Sequence, residues 1–382
     1  MSAAASVDLA PLLGVLAVGA ALALVPLAWF WRRRRGDRAA LRLQAFAWFV
    51  LVLSFDLVLL GAFTRLSDSG LGCPDWPGCY GHASPVGASS HIAAAEAALP
   101  TGAVTTTKAW VEMLHRYAAT AIGALVVVLA GLAIHASRQS GGRIGWRLAV
   151  FTMLWICLQG AFGALSVTLR LYPAIVSLHL LGGMGLLALL AIQAERYAAP
   201  RRLVLAPGLR AGLVAVAVLT VVQVALGAWV SSNYAVLACS DFPTCQGSWW
   251  PDMDVAQGFA VRRPLGAGAD GYLPFAALTA IHFAHRLGAL ALLAAIAAFA
   301  WRLYAAGGSA RRWALALLGL AAWQVASGLG NVLLGWPLAA AVAHTGGAAA
   351  LVVVLAVLLA RSTPARAERT AIEAGGRPAL AS

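Results

Sequence analysis

Apolar stretches of about 20 residues recur along the whole sequence, and this recurrence restricts the possible folds more than any other feature. A helix of about 20 residues, rising ~1.5 Å per residue, crosses the ~30 Å hydrocarbon core of a bilayer. We count nine such stretches, at about 11–31, 45–63, 109–135, 147–167, 174–197, 211–230, 275–301, 312–334 and 338–360. With 61% hydrophobic and only 11% charged residues, the chain is predicted to be an all-α polytopic membrane protein.

The first stretch is predicted to be a true transmembrane helix. A signal peptide carries its positive charge before the apolar segment, whereas Arg32 to Arg35 come after it. Threading the nine spans alternately places most of the 27 Lys and Arg residues on one side, which the positive-inside rule assigns to the cytoplasm. We therefore expect a periplasmic N-terminus and a cytoplasmic C-terminus in an inner membrane. The net charge of +13 then reflects topology and not nucleic-acid binding.

The chain contains an internal repeat, because the same landmarks occur twice in the same order. A glycine near the end of one span leads into a loop with two cysteines, the next span contains a His-Arg step, and a glutamine and a histidine follow in later spans. The matched landmarks are Gly61 and Gly227, Cys73–Cys79 and Cys239–Cys245, His115-Arg116 and His285-Arg286, Gln159 and Gln324, and His179 and His344. Two tandem four-helix bundles related by a pseudo-two-fold axis along the membrane normal are predicted.

This repeat divides the chain into predicted units. They are an extra N-terminal transmembrane helix with a basic loop (1–44), an N-terminal four-helix half (45–197), a cytoplasmic linker (198–210), a C-terminal four-helix half (211–360) and a disordered cytoplasmic tail (361–382).

Four histidines lie within the predicted spans at similar depth, about 9–15 Å from the same membrane surface. Ionisable side chains are costly there, so they are candidate functional residues. Two imidazoles facing each other across an apolar bundle suit the axial positions of a heme iron. One heme site in each half is therefore predicted, with His115 and His179 in the first and His285 and His344 in the second. Arg116 and Arg286 are candidates for contacts with heme propionates.

Two other interpretations of these histidines carry less weight. A single membrane histidine is often a hydrogen-bonded packing residue, but four in duplicated register argue against packing alone. Zinc requires three or four protein ligands, whereas each half offers a facing pair. His82, His91 and His135 are predicted to be solvated or packing residues.

One position breaks the symmetry of the halves. Three residues before His115 stands Glu112, whereas His282 stands three residues before His285. Residues three apart share a helix face, so Glu112 is expected to face the same cavity as His115. A carboxylate there can move protons or stabilise a developing cation. The first site is therefore predicted to hold a molecule that is changed, and the second a fixed heme that passes electrons.

The cysteine pairs lie in loops expected outside the cytoplasm, where an oxidising compartment suits disulfides. A disulfide in each loop would stiffen a lid over each heme. Thiol chemistry is the alternative, although reactive pairs are usually separated by two residues and not by five. Cys157, within a span, is predicted to lie in the core.

The segment Thr64–Gly81, the Glu112-x-x-His115-Arg116 step and the three later histidines resemble bacterial heme A synthase. The resemblance covers about 45–360. It implies conversion of heme O to heme A, in which a porphyrin methyl group is oxidised to a formyl group, for cytochrome c oxidase in the bacterial inner membrane. It further implies that the cysteine pairs form disulfides.

The same resemblance assigns roles to single residues. Glu112 would be the catalytic carboxylate, His115 and His179 the ligands around substrate heme, and His285 and His344 the ligands of a heme b cofactor. Expected partners are heme O, the lipid bilayer, a heme O synthase (a farnesyltransferase) and an electron donor that the sequence does not identify, with no nucleic acid.

Two other classes of function share part of this pattern. A bis-histidine diheme cytochrome that only relays electrons needs no carboxylate, so Glu112 discriminates against it. A duplicated transporter would place its site near the bilayer midplane, and the near-surface depth of the four histidines argues against this class.

Overall fold

The computed structural model describes residues 9–197, 202–262 and 273–364. Within these ranges, nine helices are long and apolar enough to cross a membrane, which confirms the nine predicted spans. The helices are α1 (Ala10–Arg33), α2 (Ala39–Leu66), α3 (Ser89–Ala98), α4 (Thr106–Gln139), α5 (Arg147–Thr168), α6 (Pro173–Tyr197), α7 (Pro207–Ser232), α8 (Val255–Gly258), α9 (Phe275–Ala305), α10 (Ala310–Leu333) and α11 (Leu338–Arg361). The short helices α3 and α8 lie in loops.

Residues at the helix ends explain where several spans begin and stop. Thr105 caps α4 by accepting a hydrogen bond from the backbone N–H of Lys108. Proline stands in the first turn of α1 and of α7, where its missing N–H costs nothing. Arginine occupies the last turn of α1, α4, α6, α9 and α11, where it complements the helix dipole.

The membrane helices form two bundles with the same arrangement. Helices α2, α4, α5 and α6 contact one another in the first half, and α7, α9, α10 and α11 do so in the second. Helix α6 contacts both α7 and α11, and α2 contacts α11. Exchanging the halves maps the α6–α7 contact onto the α11–α2 contact, as a pseudo-two-fold axis requires. The predicted fold class is confirmed.

Helix α1 packs against α4 and against the loop that follows α2. Val15 shares a buried cluster with Cys73 and Cys79 in that loop, and Gly14 lies against Ala83. The N-terminal end of α1 is therefore on the same face as the two cysteine loops. This face is called the outer face below.

On the inner face, a two-stranded sheet and an ion pair connect the halves, which the sequence analysis did not predict. Strand β1 (Leu203–Leu205) pairs in parallel with β2 (Ser362–Pro364). Beside it, Arg361 Nη2 and Nε donate to the two carboxylate oxygens of Glu195 at 2.7 and 2.8 Å. The predicted disorder of the tail therefore does not hold for Ser362–Pro364, while 365–382 and the linker residues 198–201 lie outside the described residues.

Candidate functional site

The structure brings the four predicted histidines together as two pairs. They lie six to ten residues from the outer ends of α4, α6, α9 and α11, which is about 9–15 Å at 1.5 Å per residue. His115 interacts electrostatically with His179, and His285 with His344. Each half therefore carries one pair of imidazoles across its bundle, near the outer face.

Each histidine ring packs against a glycine on a neighbouring helix. A Cβ atom added at Gly61 would lie 2.9 Å from Cε1 of His115, and one at Gly227 would lie 3.1 Å from Cε1 of His285. The corresponding distances are 3.5 Å from Gly163 to His179 and 3.2 Å from Gly328 to His344. Most of these separations are tighter than ordinary contacts, so the absence of a side chain makes room for the rings.

The Nδ1 atoms of the histidines differ between the halves. In the second half, Nδ1 of His285 lies 3.0 Å from Nε2 of Gln223, and Nδ1 of His344 lies 2.9 Å from Oγ of Ser327. In the first half, Nδ1 of His115 is buried without a hydrogen-bond partner among the described residues, and the ring of His179 has the backbone of Gln159 as a partner. The sequence analysis missed Gln223 and Ser327. A position-by-position comparison of the repeats, which pairs them with Leu57 and Phe162, could have found them.

Glu112 and His282 hold the two cysteine loops in the same way. Oε2 of Glu112 accepts a hydrogen bond from the backbone N–H of Cys73 at 2.8 Å, and Nδ1 of His282 accepts one from Cys239 at 3.3 Å. Glu112 also accepts a hydrogen bond from Arg116 at 2.5 Å. Glu112 and His282 therefore occupy equivalent positions in the two halves. The Glu112 carboxylate is bound to the loop and is not free in the cavity.

Both arginines of the His-Arg steps also bind loop backbone. Nη1 of Arg116 donates to the carbonyl oxygens of Asp75, Pro77 and Gly78 at 2.9, 3.3 and 2.5 Å. Arg286 donates to the carbonyl oxygens of Thr244 and Cys239 at 2.8 and 2.9 Å. These arginines anchor the loops to α4 and α9, and their contact with propionates stays a prediction.

Both cysteine pairs form disulfides, with S–S distances of 2.11 Å for Cys73–Cys79 and 1.99 Å for Cys239–Cys245. All four cysteines are fully buried. A disulfide therefore closes each loop against the outer part of the helix that carries the first histidine of each pair.

An aspartate within each disulfide loop fixes its turn. Asp75 accepts hydrogen bonds from the N–H groups of Tyr80 and Gly81. Asp241 accepts them from the Thr244 hydroxyl and from the N–H groups of Gly247 and Gln246. The Thr244 hydroxyl and these N–H groups lower the pKa of Asp241 to about 2, because they favour its ionised form. The two loops are thus built by the same contacts.

Other predicted residues fall outside the two sites. His82 and His91 lie near each other in the outer loop, where His91 stacks on Tyr80, which supports a packing role. Cys157 is exposed on α5, so the prediction that it lies in the core was wrong. Gln159, two residues further along α5, is buried. Residues two apart on a helix do not share a face, so Cys157 points away from the bundle.

Gln159 and Gln324 support the helices that carry the second histidine of each pair. Nε2 of Gln324 donates to the backbone carbonyl of His344 at 3.0 Å. Gln159 lies against Gly182 and Gln324 against Gly347, each three residues after a histidine. These contacts give both glutamines a packing role beside the sites.

The residues of both sites fit a heme group. Each pair offers two imidazole nitrogens and apolar surroundings, the donor set of a bis-histidine heme. The unpartnered Nδ1 of His115 and the glycines facing each ring fit rings arranged for a group that lies between them. The apolar groove between α2, α10 and α11, by contrast, contains none of the four histidines.

Fold and site together define a class: a duplicated four-helix membrane protein with a paired-histidine site in each half. The chain belongs to the COX15-CtaA family of cytochrome oxidase assembly proteins, whose model matches residues 44–356. Helix α1 lies before the matched region.

Relatives of known name agree with this membership. The chain is 37% identical over 313 residues to a protein named heme A synthase from Shewanella oneidensis, covering 81% of this chain and 93% of the relative. It is 34% identical to one of the same name from Symbiobacterium thermophilum, covering 71% and 79% of the two chains. A heme A synthase from Halalkalibacterium halodurans is 29% identical, covering 65% and 72%.

Proposed function

We propose that this protein is a heme A synthase, an oxidoreductase that converts heme O to heme A by oxidising a porphyrin methyl group to a formyl group. The observation that carries the proposal is the duplicated histidine pair beneath a disulfide loop, with a carboxylate at the first pair only. Family membership and the shared name of the relatives support it. The heme A produced would supply cytochrome c oxidase.

The two halves divide the work in this proposal. His115 and His179 hold the substrate heme O, and His285 and His344 hold heme b. The difference between Glu112 and His282, which contact equivalent loop N–H groups, supports this assignment. When bound, heme b supplies reversible one-electron transfer.

Glu112 is the proposed proton acceptor of the reaction. Conversion of a methyl group to a formyl group balances as R–CH3 + H2O → R–CHO + 4 H+ + 4 e−, and a carboxylate near the reacting carbon can accept the protons. The electrons would leave through the second site to the electron-transfer protein. The N–H of Cys73 and the guanidinium of Arg116 hold the carboxylate one helical turn from His115. The disulfide loop covers the outer part of α4 beside this carboxylate.

The proposed location is the bacterial inner membrane, with the outer face in the periplasm. Arginines at the inner ends of α1, α4, α6, α9 and α11 support this orientation. The buried disulfides agree with an oxidising compartment. Proposed partners are heme O, the lipid bilayer, a heme O synthase as the source of substrate, and an electron-transfer protein that exchanges electrons with the second site.

A cytochrome that only relays electrons is the competing function, and Glu112→Gln separates the two. The test is to extract and analyse hemes from membranes of cells that lack their own heme A synthase, contain a heme O source and express either protein. The wild type is expected to yield heme A. The variant is expected to yield at least about 100-fold less, the lower range lost with a general base, and to accumulate heme O or a hydroxylated intermediate.

A matched control is Glu96→Gln. Glu96 is an exposed carboxylate of α3 that accepts hydrogen bonds from the backbone N–H and hydroxyl of Thr106, and its substitution should leave the heme A yield unchanged. Bound heme b without heme A from the wild type would contradict the proposal and favour the electron relay.

A further inference from the structure

We infer that Ser327 is a positioning residue that holds His344 of the second-half site in the tautomer that binds iron. The inference rests on the proposed function, because it concerns the histidines proposed to bind heme b. Iron binds Nε2 of a histidine only when the ring proton is on Nδ1, and a partner that accepts this proton fixes both the tautomer and the ring orientation.

The contacts of Ser327 determine the tautomer of His344. Oγ of Ser327 carries one proton and lies 2.7 Å from the carbonyl oxygen of Trp323 and 2.9 Å from Nδ1 of His344. A carbonyl oxygen can only accept a hydrogen bond, so the hydroxyl donates to Trp323. Oγ then accepts from Nδ1–H, and Nε2 of His344 is left with a lone pair for iron.

Gln223 has a different relation to His285. Its Nε2 lies 3.0 Å from both Nδ1 and the backbone carbonyl oxygen of His285. The carbonyl oxygen can only accept a hydrogen bond, so the amide nitrogen is held on this side and cannot accept Nδ1–H. Gln223 therefore supports the backbone of α9, as Gln324 supports that of α11.

The first half has an apolar residue at the position of Ser327. Ser327 directly precedes Gly328, and Phe162 directly precedes Gly163. Phe162 cannot accept a hydrogen bond. The ring of His179 has the backbone of Gln159 as its partner instead, so the hydroxyl partner is a feature of the second half.

The Ser327 hydroxyl affects how strongly His344 binds iron. A hydrogen bond from Nδ1–H makes a histidine a stronger electron donor, which strengthens binding and favours oxidised iron. Ser327 therefore strengthens heme binding at the second site and lowers the midpoint potential of the heme held there.

The test uses the full-length protein, purified from cells that make heme b but no heme O. Ser327→Ala removes the acceptor at His344. We expect it to weaken heme b retention by roughly tenfold, the lower range seen when such partners are lost. The heme that remains should show a higher midpoint potential than in the wild type.

Two controls separate positioning from general loss of structure. Ser327→Thr keeps the hydroxyl and should restore both retention and potential. Thr220→Val removes a buried hydroxyl one turn before Gln223 that bonds only to its own helix at Val216, and should change neither.

The outcomes are distinct. Wild-type heme retention and an unchanged potential in Ser327→Ala would overturn the inference and leave the proposed function standing. A wild-type protein that binds no heme at all would overturn both.

Discussion

Glycines beside the histidine rings determine how closely the helices approach at each site. At Gly61 an added Cβ would lie 2.9 Å from the ring of His115, whereas nothing lies within 4 Å of one added at Gly160. Gly61→Ala must therefore displace the ring or the helix, although alanine is the better helix former by about 1 kcal/mol. We expect at least about a tenfold loss of heme A yield, since small misplacements at a reacting centre are costly.

Gly160→Ala provides the matched control for this prediction. It should keep wild-type yield with equal or higher thermal stability of the purified protein. Gly163→Ala, with a Cβ at 3.5 Å from His179, should fall between the two. Wild-type heme A yield from Gly61→Ala would show that the ring of His115 does not need its observed position.

At this scale the sequence predicted which side chains form the sites but not what holds them. The histidines and Glu112 stand out because ionisable groups are rare within apolar spans. Gln223 and Ser327 do not stand out, because polar uncharged residues are common in such helices. Only the three-dimensional structure shows that the hydroxyl of Ser327 lies beside Nδ1 of His344.

Helix α1 supports the first site, and its contacts give it a role that the sequence could not supply. Gly19 packs against Thr120 of α4, and the Thr120 hydroxyl donates to the carbonyl oxygen of Arg116 at 2.9 Å. Val15 packs in the cluster that contains the first disulfide. The first disulfide loop is therefore braced from outside its bundle by α1.

Gly19→Leu tests this role. The larger side chain would separate α1 from α4 at a cost of about 1–3 kcal/mol, and the loop should then open more often. We expect Cys73–Cys79 to be reduced about tenfold faster or more by an added phosphine, as measured by thiol labelling and mass analysis. Cys239–Cys245 in the same molecule is the internal control, and equal acceleration of both disulfides, or of neither, would contradict the role of α1.

The long elements were predictable and the short ones were not. A span of about 20 apolar residues has no other stable state in a bilayer than a helix, so all nine spans followed from composition alone. The ends of these helices extend into polar sequence. Helix α4, for example, begins at Thr106, directly after its N-cap residue Thr105. The three-residue strands β1 and β2 have no periodicity to detect, and they pair only because α6 and α11 end side by side.

At the scale of the whole molecule, the two repeats form two similar sites that differ at a few residues. The order of landmarks was enough to predict two bundles, because each landmark recurs once in the same order. The symmetric contacts of α6 with α7 and of α2 with α11 follow from that duplication. The differences lie at single positions: Glu112 against His282, Leu57 against Gln223 and Phe162 against Ser327.

The central claim is that these differences give the halves separate tasks, and paired histidine variants test it most directly. One variant replaces His115 and His179 with alanine, and the other replaces His285 and His344. Both are purified from cells that make heme b but no heme O, and bound heme b is measured per protein. We predict near wild-type heme b in the first variant and almost none in the second. Equal loss from both variants, or loss from the first alone, would contradict the division of labour between the halves.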